Sequence, residues 1–270
     1  MRKIILSAAI IVLALLATGC DKLRSRDHLN KGVQAYKNAK YQEAVDHFKT
    51  AIELDPTNQN AKLYLATAYM IQYIPGADSP ENNKMAEAAF KGFQDVLASD
   101  PRNALAINSI ALLYFNQKKM EEAQQWYKKL IEIEPQNKEA YYTLGVIAWT
   151  RAYQDRMAAR AKLGMKPEDP GPIKDKKVRE ALAAKNMAMI EEGIKDLEKA
   201  IAIDKEYDDA MAYLNLLHRE KADLLDSVEA YKKEVQIADD WVQKTLDTKK
   251  AKAAKAAQAA AGIVKEEKKK

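Results

Sequence analysis

The hydrophobic pattern begins with an apolar run over residues 4–16, broken only by Ser7 and preceded by the basic start Met1-Arg2-Lys3. A membrane-spanning helix needs about 20 such residues, so this run is too short to cross a bilayer. Farther along, the pattern recurs in register. An acidic residue followed by proline stands at Asp55-Pro56, Asp100-Pro101 and Glu134-Pro135. Twelve positions before each proline is an alanine (Ala44, Ala89, Ala123), and eight positions before it is an aromatic (Phe48, Phe93, Tyr127). Five positions before it is Ala51, Val96 or Leu130. Pro101 and Pro135 are 34 residues apart, while Pro56 and Pro101 are 45 apart, an insertion of 11.

This arrangement predicts helix–turn–helix units. Small residues at Gly32, Ala66, Ala111 and Gly145 let the first helix of each unit approach the second, where Ala44, Ala89 and Ala123 face it. The aromatic one turn later fills the wedge between successive units, and the proline ends the second helix. Each unit alone exposes an apolar face that stacking hides. The chain therefore resembles the tetratricopeptide repeat family, which implies an all-α solenoid of four to five repeats spanning residues 28–250. The units fall at 25–58, 59–103, 104–137 and 138–207, with a fifth starting at Asp208. The fourth has Lys205 in place of the proline and Gly193 in place of the alanine. In the fifth, Asp226 with Glu229 three residues on reads as a capping box. Val228, Tyr231, Val235, Ala238, Val242 and Leu246 follow at helical spacing, the expected buried stripe of a closing helix.

Two units carry insertions. In the second, Ile74-Pro75-Gly76 stops one helix and Ser79-Pro80-Glu81 starts the next. In the fourth, nothing interrupts residues 138–163, which predicts a helix of about 39 Å at 1.5 Å per residue. A turn with Pro167, Pro170, Gly171 and Pro172 follows, and Asp175 caps a second long helix reaching Ile203. The resulting hairpin, with its insertion at about 151–188, projects some ~18 Å beyond an ordinary repeat. It bears Arg151, Arg156, Arg160, Lys162, Lys166, Lys174, Lys176 and Lys177. Two readings remain open: a solvated charged spur or an arm that contacts a partner.

The first apolar run ends in Ala17-Thr18-Gly19-Cys20, small residues before the chain's single cysteine. This is similar to the lipobox of bacterial lipoproteins, with Ala17 where leucine is usual. The resemblance implies a signal peptide over residues 1–19, lipidation of Cys20, a short linker over residues 20–27 and a place in the bacterial cell envelope, facing the periplasm. An ordinary signal peptide is the alternative. Of the net charge of +5, Arg2 and Lys3 supply +2 and the segment from Lys249 onward supplies +6, leaving residues 20–248 at −3. The body therefore has no nucleic-acid footprint. The Ala/Lys-rich tail, residues 251–270, reads as a solvated extension or as a contact to anionic lipid or cell wall.

At 31% charged and 47% hydrophobic residues, the 270-residue chain is neither disordered nor a polytopic membrane protein. One cysteine excludes an internal disulfide. His28, His47 and His218 are scattered, and none has a second histidine at ligand spacing. Phosphate-loop, G-x-S-x-G and H-E-x-x-H motifs are missing, so neither an enzyme nor a bound cofactor or metal is expected. The family resemblance instead implies a protein or peptide partner held in a concave groove lined by the first helices. Carried over by repeat position, that lining is Leu29, Val33, Tyr36, Leu63, Thr67, Met70, Ile71, Asn108, Leu112, Phe115, Asn116, Tyr142, Val146 and Trp149. The chaperone-binding members' clamp of Lys, Arg and Asn is replaced here by Leu29, Val33, Tyr64, Leu105 and Ser109. Two functions fit: a membrane-anchored adaptor that holds a protein, or a structural tether acting through lipid and tail.

Overall fold

The computed structural model describes residues 2–166, 169 and 171–267, with side chains for 20–166, 169 and 171–259. The side chains of the lipobox residues before Cys20, and Pro167 and Pro170 of the hairpin turn, lie outside the described residues. Ten α-helices and no strand occur among the described residues: α1 (Arg2–Lys37), α2 (Tyr41–Leu54), α3 (Gln59–Gln72), α4 (Pro80–Ser99), α5 (Ala104–Asn116), α6 (Met120–Ile133), α7 (Lys138–Lys162), α8 (Lys176–Ile203), α9 (Asp208–Ala222) and α10 (Val228–Glu267). They divide into two compact units, Met1–Trp126 and Tyr127–Lys270.

In the first unit, α1 pairs with α2 and α3 with α4. Ala44, Phe48, Ala66, Ala89 and Phe93 are all sealed from solvent, as the repeat register requires. The closest approaches fall one turn later than the alanine positions. A Cβ on Gly32 would run into the Phe48 ring, and one on Gly92 would run into Ala66. The wedge aromatic therefore lies directly across the small residue of its partner helix. The helix–helix turns of the first and third repeats share a left-handed residue, Ala39 at φ 58° and Lys118 at φ 59°. The next amide bonds back across each turn, Lys40 N–H to Ala35 O and Lys119 N–H to Tyr114 O, both at 2.9 Å.

Repeat starts are capped in the same way throughout. Asn58, Asn103 and Asn137 accept the backbone N–H of Ala61, Ala106 and Ala140 at 3.0, 3.0 and 2.9 Å. Ser79 and Asp175 cap α4 and α8 as the sequence predicts. Residues 20–27 are helical and continuous with α1 rather than a linker. Ser25 in that stretch is buried and donates to Ala51 O at 2.7 Å.

In the second unit, α7 packs on α8, and α9 packs on α7, α8 and α10. A Cβ on Gly145 would collide with Leu197, and one on Gly193 with Ala148. Leu197 thus takes the wedge role that an aromatic plays in the first three repeats. Two expectations change here. Ser227, not Asp226, caps α10, accepting the Ala230 N–H at 3.1 Å. Val228, Val242 and Leu246 are exposed, while Glu234, Ala238 and Thr245 are buried and Trp241 packs on the core. The reason is ionic: α9 presents His218, whose Nδ1 is 2.7 Å from Glu234 Oε1, and Asp208, which pairs with Lys252. These contacts rotate α10 away from its more apolar stripe. Lys255 pairs with Glu206, so the start of the tail is held by charge although it has no apolar face to dock.

Candidate functional site

The hairpin of α7 and α8 has the length the sequence predicts, but its tip is neither a solvated spur nor a free arm. Arg160 is only 2% exposed. Its guanidinium bonds Asp223 Oδ2 at 2.8 Å and the carbonyls of Lys166 and Asp169 at 3.0 Å. Arg156 reaches Glu220 Oε2 at 2.6 Å and Asp223 Oδ2 at 3.2 Å. Ile173, fully buried, donates its N–H to Asp223 O at 3.1 Å, and Arg179 bonds Ile173 O at 2.7 Å. The tip therefore folds over the carboxyl end of α9. Burial pushes the Glu220 and Asp223 carboxyls up, and the arginines work in the opposite direction. Two arginines of the sequence-predicted surface patch are internal structural groups.

The residues carried over as a groove fall on both units. In the first unit, α1 contributes Leu29, Val33 and Tyr36, half-buried against a core of Ala35, Ala44, Val45, Phe48 and Ala68. Leu63 and Met70 of α3 pack partly on the core around Phe93 and Ile110. Thr67 is turned onto its own helix, its hydroxyl bonding Leu63 O at 2.8 Å. Ile71 is 51% exposed, and Leu105, outside the expected lining, is 53% exposed. Asn108, Leu112, Phe115 and Asn116 of α5 are half-buried. In the second unit, Val146 is buried, whereas Tyr142 and Trp149 are half-buried in an aromatic row.

That row was not legible from repeat positions, because three of its members lie outside them. Tyr142 touches Tyr207 and Tyr213, and Trp149 touches Tyr213 and Tyr153. Burial pushes the Tyr142 hydroxyl up, with Tyr213 beside it adding to the effect, and burial raises Tyr207 to about 12. Both hydroxyls stay protonated and able to donate. The aromatic composition of α7 and of the α8–α9 turn is the signal that could have found it.

Two histidines also come together. His28 and His47, expected to be separate surface groups, face each other with Nδ1 atoms 3.2 Å apart. Among the described residues no group of three or more His, Cys, Asp and Glu is arranged to hold a metal ion. Cys20 is free and exposed. No helix among the described residues is long and apolar enough to cross a membrane.

Stacked helix hairpins with glycine–wedge contacts and a shared Asn cap define an α-solenoid of the kind that serves as a protein–protein interaction scaffold. The repeat itself is the tetratricopeptide repeat, matched by family models at residues 26–58 and 111–150. The type IV pilus assembly protein PilF of Pseudomonas aeruginosa is 26% identical over 161 residues, 53% of this chain and 58% of that protein. The human mitochondrial import receptor subunit TOM70 is 30% identical over 106 residues, 39% of this chain and 17% of that protein. The chain thus spans little more than half of the first relative and under a fifth of the second. Among solved structures, MamA from Desulfovibrio magneticus superposes with a TM-score of 0.56 at 15% identity, over 84% of this chain and 96% of that one. Another MamA structure gives 0.57 at 16% identity, over 86% and 94%. These likenesses establish the fold.

Proposed function

We propose that this protein is a membrane-anchored adaptor of the bacterial cell envelope, facing the periplasm, lipidated at Cys20 and holding a protein or peptide partner on the exposed faces of its first-in-repeat helices. The observation that carries the binding role is the set of uncovered apolar and aromatic side chains on those helices. Ile71, Leu105 and Tyr153 are 51%, 53% and 38% exposed. Apolar and aromatic anchors beside amide and hydroxyl groups have the composition of binding hot spots. Here the amides are Asn108 and Asn116 and the hydroxyls belong to the tyrosines of α7 and α9. The anchor is supported by the short apolar start, the exposed free Cys20 and the bacterial pilus-assembly relative.

The tether reading is weaker, because Lys252 and Lys255 are engaged with Asp208 and Glu206. A photo-crosslinking residue at Ile71 or Tyr153 in cells tests the proposal. Discrete adducts that survive removal of residues 251–270 are expected. No adduct from either site, or loss of all adducts with the tail, would overturn it.

A further inference from the structure

Five aromatic rings from α7, α9 and the turn before α9 form an unbroken run in the second unit. Centroid separations are 5.2 Å for Tyr207–Tyr142, 5.5 Å for Tyr142–Tyr213, 5.4 Å for Tyr213–Trp149 and 5.2 Å for Trp149–Tyr153. A cation stands over each end: Lys138 Nζ 5.1 Å from the Tyr207 ring and the Arg156 guanidinium 5.4 Å from the Tyr153 ring. Both cations are already matched, Lys138 by Asp204 at 2.7 Å and Arg156 by Glu220 at 2.6 Å. Asp209, near Tyr142 and Tyr207, lies in the field of Lys252. The run therefore offers π faces and hydrogen-bond donors with its charges balanced. The rings rest on the core through one edge and remain half-exposed, with Tyr153 the most open.

We propose that this run is a docking track for an uncharged, proline-rich segment of the partner in the polyproline II conformation, an inference that rests on the scaffold reading above. The charge match is the first argument: with both end cations neutralised by their own carboxylates, neither an acidic nor a basic ligand gains an unpaired counter-charge. The hydrogen bonding is the second. A polyproline II segment has no internal hydrogen bonds, so its carbonyls need donors. Tyrosine hydroxyls and the Trp149 indole N–H supply donors between flat apolar walls. A helical ligand would bring carbonyls already bonded within its own backbone, leaving those donors to be desolvated without partners. The third argument is length. The four steps trace at most ~21 Å, enough for about seven residues at 3.1 Å each. A preformed polyproline II segment also loses little conformational freedom on docking.

The test titrates fluorescently labelled decaproline into the full chain and follows anisotropy, with length-matched Gly/Ser and helical Ala-rich peptides as comparisons. Saturable binding of decaproline alone is expected. Tyr153→Ala should weaken it at least fivefold at an unchanged melting temperature. The pair Tyr142→Phe and Tyr213→Phe keeps the rings, removes the hydroxyls and should weaken it by a similar factor. Failure of decaproline to bind, or binding that neither variant alters, overturns the inference. Preferential binding of the helical peptide, lost in Tyr153→Ala, also overturns it while leaving the scaffold reading standing. If no peptide binds and crosslinking from Ile71 still captures a partner, the proline track alone falls; if both fail, the scaffold reading falls with it.

Discussion

Arg160 and Asp223 are joined by two guanidinium nitrogens, Nη2 at 2.8 Å and Nε at 3.1 Å from Oδ2, with both side chains almost wholly buried. Removing one partner of such a pair leaves a buried charge unmatched, at a cost of about 3 kcal/mol or more. Arg160→Ala should therefore lower the stability of the second unit by that order and speed amide exchange at Ile173, whose N–H is held by Asp223 O. Lys162→Ala, on the exposed side of the same helix, should stay within about 0.5 kcal/mol. Equal losses from the two would show that the tip is not locked.

Asp196 gives the second unit a pH dependence of unusual sign. Burial, reinforced by Glu192 one turn earlier and opposed by Lys128, raises its carboxyl to about 7. The folded state thus holds a proton that the unfolded chain gives up near pH 4. The stability carried by this group is full below pH 4 and lost as pH rises through 7. Asp196→Asn should remove that slope and stabilise the protein at pH 8, by on the order of 2 kcal/mol once partial exposure is allowed for. Denaturant melts from pH 4 to 8 would read it. A variant whose slope matches the parent's refutes the assignment.

The repeat register can be tested by overpacking. Ala44 has no exposed surface, so Ala44→Trp forces a ring between α1 and α2 at ~1–3 kcal/mol or more. Lys91→Ala, on the exposed side of α4, should be nearly silent. Urea midpoints of the two variants make the comparison.

Cutting the chain after Thr248 removes Lys249, Lys252 and Lys255 from Asp208 and Glu206. These lysines are half-exposed, so the expected loss is about 1 kcal/mol and should shrink in high salt. A loss that salt leaves unchanged would mean that packing, not charge, holds the tail.

The proposed anchor predicts that Cys20→Ser moves the protein from the membrane to the soluble fraction. Two or more acyl chains are what make such attachment stable. Retention of the variant on membranes as firmly as the parent would remove Cys20 from its role.

Much of this architecture could be read directly from the chain. The 34-residue period, the two insertions, the long hairpin and the Ser79 and Asp175 caps depend on neighbours three or four residues apart, or on where glycine and proline stop a helix. The Asn caps at 58, 103 and 137 were equally local, and their recurrence after each acid–Pro pair was a usable signal. The groove residues on α1, α3 and α5 follow from repeat position, but how far each is uncovered does not.

Partners distant along the chain decide the remainder. His28 and His47 meet across the α1–α2 hairpin, 19 residues apart. Arg156 and Arg160 look like surface charge until α9 brings Glu220 and Asp223 against them, more than 60 residues on. The buried face of α10 is chosen by His218 and Asp208 rather than by its own apolar stripe. Tyr207 and Tyr213 join Tyr142 and Trp149 only once α9 lies along α7. Local periodicity encodes helices and their ends through short-range sterics and hydrogen bonds. Which charges are matched and which rings touch depends on how those helices pack, because burial and Coulomb energies are set by distance in space, not by separation along the sequence.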